Sequence, residues 1–139
     1  LDGCKIRFYN LPTVKKISIR DIKSEHVTKF IGIEGLVRKV TAVNPFAVVA
    51  AFECKVCGKV VHREIDFQPK AKLTPPYECR SCKSRGKFKH IYEESVYEDT
   101  QIITIQDYPE NLRGGEEPRS TNVFLKSDLT GKVKPGDRI

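Results

Sequence analysis

Cys54-Lys55-Val56-Cys57 and Cys79-Arg80-Ser81-Cys82 are two C-x2-C pairs with 21 residues between them. Two residues between thiolates allow a tight knuckle that turns both sulfurs toward one metal ion. Each pair then supplies half of a tetrahedron, with Zn–S at about 2.3 Å. Gly58, directly after Cys57, permits the positive φ such a knuckle often needs. Disulfides are the competing use of these thiols, but five cysteines is an odd number and nothing marks the chain as secreted. One CxxC alone would fit redox chemistry; two matched pairs fit a metal. Four thiolates fill the coordination sphere and leave no position for an activated water. The expectation is therefore one structural zinc per chain, held by Cys54, Cys57, Cys79 and Cys82, and not a zinc hydrolase or deaminase. His62 and His90 could each replace a cysteine; with four well-spaced thiols available they are read as exposed or half-buried ribbon residues. Cys4 is read as unliganded, and His26 as a helix-surface residue.

The elements that must position these sulfurs belong to a chain of 139 residues, the size of one ordinary domain with a small insert. Hydrophobic residues make up 39% and charged residues 31%, a globular composition. No run approaches the roughly 18 apolar residues of a membrane helix, so no membrane partner is expected. The chain holds no Met, begins at Leu1 and ends at Asp137-Arg138-Ile139, where a strand begins; we read it as a piece of something longer. The formal charge is +7, from which four thiolates and one divalent ion would take two charges. The remaining surplus favours an anionic partner only weakly.

Alternation predicts a short strand over residues 5–9, broken by Asn10-Leu11-Pro12, and a short helical turn over 24–30 with Ser24 as its N-cap. From Phe30 to Val43 the apolar phase changes within one β-rich run. Ile31, Ile33 and Val37 share one phase and Leu36, Val40 and Ala42 the other, which requires a bulge or bend, placed at Gly35. Phe46 to Phe52 is apolar on both phases and reads as a buried strand leading into the first knuckle. Residues 59–65 and 87–92 read as ribbon strands, 101–106 and 121–125 as further strands. Residues 107–118 and 128–137 read as loops. Residues 79–90 carry five basic residues and no Asp or Glu beyond the knuckle, whereas 91–99 carry Glu93, Glu94, Glu98 and Asp99 and no base. That switch marks the expected module boundary. The organisation predicted is a lead-in over 1–29, a first barrel part over 30–53, a zinc-ribbon insert over 54–90 and a second barrel part over 91–139. Under 40 residues, the insert cannot build a core without its metal. The fold class is all-β, a five-stranded OB-fold barrel interrupted by a zinc ribbon.

Several stretches resemble the minichromosome maintenance (MCM) family of replicative DNA helicases. They are Ile6-Arg7-Phe8-Tyr9-Asn10-Leu11-Pro12, Glu34-Gly35-Leu36-Val37, the two cysteine pairs, Ile105-Gln106-Asp107-Tyr108-Pro109-Glu110-Asn111-Leu112, Gly114-Gly115-Glu116-Glu117-Pro118-Arg119 and Lys134-Pro135-Gly136-Asp137-Arg138. The resemblance runs through nearly the whole chain, and the short loops are similar to the archaeal type. It implies an N-terminal region with an OB-fold and an inserted zinc ribbon. No G-x4-G-K-[ST] phosphate loop occurs in these residues, so the ATPase motor implied for the parent helicase is not in this sequence and the chain is expected not to be an enzyme by itself.

The resemblance also implies roles for particular residues. Family members hold single-stranded DNA with basic residues on the barrel surface; the matching positions are Lys39 and Arg119, with Arg38 beside Lys39. Thr104 stands where the family often carries a base. Residues 106–119 resemble the segment that couples this region to the motor, including Gln106, Glu110, Gly114, Gly115 and Glu116. The implied partners are DNA, chiefly single-stranded and without sequence preference, and further copies of the chain in a hexamer, ring or filament. The implied location is the nucleus of a eukaryote or the nucleoid of an archaeal cytoplasm. No recognition helix for base edges is predicted, in keeping with phosphate-directed binding. The alternative function is a free-standing zinc-ribbon OB-fold protein that binds single-stranded nucleic acid, for which a motor-coupling loop would have no use.

Overall fold

The computed structural model describes residues 6–9, 12, 16–66 and 72–139. Cys4, Lys5, Asn10 and Leu11 lie outside them. Among the described residues seven strands form, β1 Lys16–Ile17, β2 Gly32–Ile33, β3 Leu36–Val40, β4 Asn44–Cys54, β5 Val60–Glu64, β6 Phe88–Gln106 and β7 Ser120–Lys126. Short 3-10 turns occupy Ile19–Asp21, Ser24–His26, Pro109–Asn111 and Ser127–Leu129, and no α-helix occurs among the described residues. The all-β class is as expected. Residues 6–9 adopt no regular structure, so the strand expected there is absent from its described part. The turn at Ser24 is also shorter than expected, and Lys23 holds the position before it. The Lys23 backbone N–H donates to His26 Nδ1 (2.9 Å), so His26 is drawn inward as a local brace and does not lie on a helix surface.

The chain divides into two compact units. The first comprises the residues up to Ala42, Gln101–Leu125 and Gly131–Ile139. Its core is Ile19, Val37, Ile103 and Ile105, with Ile33, Val40, Val123, Leu125 and Val133 packed around it. In β7 the side chains alternate, with Thr121, Val123 and Leu125 turned inward. β3 pairs antiparallel with the end of β6, and β7 pairs with β6 as well. The Pro-Gly-Asp turn brings the C-terminal residues back along β3: Gly136 N–H bonds the Val37 carbonyl, and Gly35 and Ile139 exchange a pair of backbone bonds.

The phase change in the first apolar run has its cause at Arg38. Val37 pairs with Ile105 and Lys39 with Thr104, so Arg38 is an extra residue in the strand. Val37 and Val40 both face the core while Arg38 and Lys39 are both exposed, which a regular strand cannot do. Gly35 has a different task. A β-carbon there would lie 2.8 Å from the Gln106 carbonyl oxygen and 3.2 Å from Ile19 Cδ1. Glycine is needed for close approach of two backbones, and the bulge expected at Gly35 sits three residues later.

The second unit comprises Val43–Thr100 and Lys126–Thr130. β4 is its central strand, antiparallel to β5 on one side and to residues 88–100 of β6 on the other. Ala47, Ala50, Ala51, Phe52 and Cys54 are buried along β4, as its two-phase apolar pattern predicts. Val49 pairs with Val96 and Ala51 with Ile91, so residues 92–95 bulge opposite Ala50. Ser95 fills the gap in the ladder. Its hydroxyl donates to the Ile91 carbonyl (2.6 Å), accepts from Ala51 N–H (3.1 Å), and meets His90 Nε2 at 3.0 Å. The change of charge sign at residues 90–91 falls inside β6, which continues through it. The strand segments expected over 87–92 and 101–106 are thus parts of one strand.

Replacing Gly35 by alanine forces β3 away from Gln106 and should destabilise the protein by about 1–3 kcal/mol. A denaturant titration that leaves the midpoint of the G35A protein at the wild-type value would contradict this close approach.

Candidate functional site

Each cysteine pair sits in a knuckle of the same construction. In the first, Gly58 N–H bonds the Cys54 carbonyl (2.8 Å) and Cys54 N–H bonds the Lys59 carbonyl (3.0 Å). In the second, Lys83 N–H bonds the Cys79 carbonyl (2.9 Å) and Cys79 N–H bonds the Ser84 carbonyl (2.9 Å). Gly58 and Lys83 occupy matching positions and both have positive φ, 70° and 57°. Glycine accommodates this freely and lysine only at some cost, so the sequence signalled the first knuckle's geometry better than the second's.

The four sulfurs converge. The Sγ atoms of Cys54, Cys57, Cys79 and Cys82 all lie within 4.8 Å of one another, with Cys54–Cys82 at 3.6 Å and Cys57–Cys79 at 3.7 Å. Four sulfurs around one ion at about 2.3 Å form a tetrahedron with edges of about 3.8 Å, so the spacing fits a structural zinc site. Cys54, at the end of β4, and Cys79 are buried, and Cys57 is exposed. The Ser84 hydroxyl lies 3.2 Å from Cys54 Sγ and 3.1 Å from Cys82 Sγ. That contact, followed by the backbone N–H groups of Cys57 and Val56, brings the Cys54 thiol down to about 6. The Ser84 hydroxyl and then its own N–H lower the Cys82 thiol too. Both shifts favour the thiolate that a metal requires, whereas at Cys57 the Lys59 N–H is outweighed by Cys82, burial and Cys79, and the thiol is pushed up to about 11.

Neither histidine joins the sulfurs. His62 is exposed on β5. His90 is committed elsewhere: because the Ser95 hydroxyl donates to Ile91, its oxygen accepts from His90, which assigns the imidazole proton to Nε2. The ring packs against Phe52 and Tyr92.

The basic residues singled out from sequence lie in the first unit. Lys39 is directly opposite Thr104, and Arg38 adjoins it as the bulged residue. The Thr104 hydroxyl bonds Asn122 Oδ1 on β7 (2.9 Å). Arg38, Lys39 and Arg119 are exposed. Arg119 immediately precedes β7, and its Nη1 reaches toward the Arg20 carbonyl at 3.5 Å. The bulge therefore places two adjacent cations on one exposed edge, and Arg119 stands at the start of the strand on the other side of β6.

The loop after β6 is fastened at both ends. Gln106 closes the strand opposite Leu36, and its carbonyl lies against Gly35. Asp107 is 5% exposed and forms the base. Its backbone N–H donates to the Arg119 carbonyl (3.0 Å), and its carboxylate accepts from Arg119 N–H at Oδ2 (3.1 Å) and from Ser18 Oγ at Oδ1 (3.4 Å) and meets Arg20 Nη2 at 3.4 Å. Arg20 Nη1 holds Glu116 Oε2 at 2.6 Å, and the same oxygen accepts from Arg113 N–H. The bond to Arg20 keeps the Glu116 carboxyl below its usual range. Glu110 pairs with Arg138, whose guanidinium also lies over the Tyr108 ring. Gly114 and Gly115 form the exposed tip, with φ of +86° at Gly115. Ser18, Arg20, Asp107 and Arg138 escaped the sequence reading as anchors. A signal existed for Asp107, which continues the inward phase of Ile103 and Ile105 and so needs a buried partner. Nothing local pointed to Arg20, 87 residues away.

A small all-β domain with paired cysteine knuckles and an exposed cationic strand edge belongs to the class of OB-type domains bearing a metal-binding ribbon. The family model for the MCM OB domain matches residues 18–139, and the chain belongs to that family, as part of an MCM N-terminal region. It is 30% identical over 135 residues to the DNA replication licensing factor mcm4 of Xenopus tropicalis, covering 97% of this chain and 15% of that protein. It is 34% identical over 137 residues to mcm4 of Schizosaccharomyces pombe, covering 97% and 14%. Identity to mcm2 of Xenopus tropicalis is 33% over 134 residues, covering 96% and 15%. The chain thus spans about 15% of the length of these curated relatives.

Replacing Arg20 by alanine removes the cation shared by Asp107 and Glu116. Amide hydrogen exchange over residues 107–119 should then accelerate several-fold, while the β3 and β6 core around Val37 and Ile105 keeps its protection. Unchanged exchange in the loop would show that Arg20 does not hold it.

Proposed function

We propose that this chain is the part of an MCM replicative helicase that holds single-stranded DNA and joins neighbouring subunits, with a motor that lies elsewhere in the parent protein. The observation that carries this reading is the family match over residues 18–139, joined to a bulged strand that sets Arg38 and Lys39 side by side at an exposed edge. Lysine and arginine bind phosphates whatever the base sequence, and such binding weakens steeply with salt. Thr104 adds a neutral hydroxyl where Lys39 has its cross-strand neighbour, so affinity per subunit is modest and a ring of subunits gains by avidity. The loop from Gln106 through Glu110, Gly114, Gly115 and Glu116 to Arg119, fixed at its base and exposed at its tip, has the form of a coupling element that could transmit a change at the DNA face to a motor.

The ribbon in this reading carries one structural zinc on Cys54, Cys57, Cys79 and Cys82. Zinc attracts all four converging thiolates, offsets two of their four charges and supplies folding free energy to a module with few buried apolar residues. It performs no catalysis, since no coordination position remains open. The basic run of 79–90 and the acidic run of 91–99 suit a head-to-tail contact between copies, which closes a ring when the rotation fits and otherwise extends a filament. The place of action is chromosomal DNA, in a nucleus or at a nucleoid.

The test is binding of a fluorescent oligonucleotide across a salt series. Single-stranded DNA of different sequences should bind alike. Lys39→Ala combined with Arg119→Ala should weaken binding equally for all of them and flatten the salt slope by about one to two counterions. A double variant that binds like the wild type would overturn the assigned face.

A further inference from the structure

The two knuckles match in backbone construction and differ in one side chain. Lys59 and Ser84 occupy equivalent positions, two residues beyond the second cysteine of their pairs, and the carbonyl of each accepts from the first cysteine's N–H. At Ser84, and not at Lys59, the side chain turns back to the sulfurs. Its hydroxyl lies 3.1 Å from Cys82 Sγ in its own knuckle and 3.2 Å from Cys54 Sγ in the other. Those two sulfurs are themselves 3.6 Å apart, so one oxygen caps an edge of the sulfur tetrahedron and bridges its halves.

A zinc ion with four thiolates carries two net negative charges in a partly buried site, and the thiolates can only accept hydrogen bonds. The oxygen of Ser84 supplies one proton, which either sulfur can receive. Donation withdraws charge from the sulfur and fixes the directions of two ligands at once. Residues in such an outer shell change metal affinity by about 10- to 100-fold when removed.

We propose that Ser84 is a positioning residue of the metal site, whose hydroxyl donates to the thiolates of Cys54 and Cys82 and thereby holds the two knuckles on a single ion. This rests on the zinc reading above and adds a residue to it. The backbone at Ser84 does not require a special residue, since its φ is not positive. Threonine and valine are nearly isosteric there and differ by hydroxyl against methyl, so the pair isolates the proton donor from the packing.

The experiment compares wild type with Ser84→Thr, Ser84→Val and Ser84→Ala, loaded with zinc and titrated against a chromogenic chelator, and then loaded with cobalt(II) for absorption spectroscopy. The S84V and S84A proteins should lose zinc affinity by about 10- to 100-fold, and S84T should stay within about threefold of wild type. In the cobalt proteins the thiolate-to-metal charge-transfer band should move to lower energy in S84V and S84A, because a thiolate without its donor holds its electrons less tightly, and should stay in place in S84T. Equal affinities and equal spectra for S84T and S84V would overturn the role of the hydroxyl. If S84V fails to fold, S84A against S84T decides on the same two readouts. A wild-type protein that takes up no zinc or cobalt would instead overturn the metal reading itself, an outcome distinct from failure of Ser84 alone.

Discussion

Four sulfurs within 4.8 Å of one another are the constraint on which the second unit depends. Four thiolates that close would repel strongly in a site where Cys54 and Cys79 have lost their water, and four neutral thiols would leave the cluster without any strong bond. The backbone nonetheless converges on this point from β4, which ends at Cys54, and from a second knuckle of the same design. Short alanines line much of β4, so its buried apolar surface is small for the unit it must hold. The spacing of the four sulfurs is compatible with a divalent ion, which would attract all four and add cohesion to this unit.

The first unit solves its problem with apolar packing and leaves electrostatics to its loop. Ile103, Ile105, Val37 and Ile19 form the core, and the following inward position on β6 is Asp107. A carboxylate at the end of a buried row costs free energy unless it is paired and hydrogen-bonded. It has Arg20, Ser18 and the Arg119 N–H as partners. The consequence is mechanical. Arg20 also holds Glu116, so the loop's beginning and its return share one cation. Arg119, proposed to meet DNA phosphate, is bonded by its own backbone to the loop's base. A local change at that arginine is one bond away from the residue that anchors the loop.

What was legible in the sequence follows from range. The cysteine pairs are local signatures, and their four members converge as their spacing implied. β4 and β7 were legible because burial on two faces and on one face leaves different patterns. The bulge was detected as a phase change but assigned to the glycine. The actual device is the pair Arg38-Lys39 between two inward valines, and the glycine serves a contact with Gln106, 71 residues away, that no local pattern contains. The continuity of β6 through the charge switch was hidden for a related reason. A 19-residue strand with a Ser95-filled bulge looks in sequence like two strands with a boundary between them. The anchors Arg20 and Arg138 are surface-type residues whose partners are set by the fold, and their types announced nothing.

The most direct test of the central claim is X-ray absorption at the zinc edge of the purified protein. The account predicts one zinc per chain with four sulfur neighbours at about 2.3 Å and no nitrogen or oxygen in the inner shell. A shell with fewer than four sulfurs, an imidazole among the ligands, or protein that folds without metal while its cysteines remain reduced would contradict it.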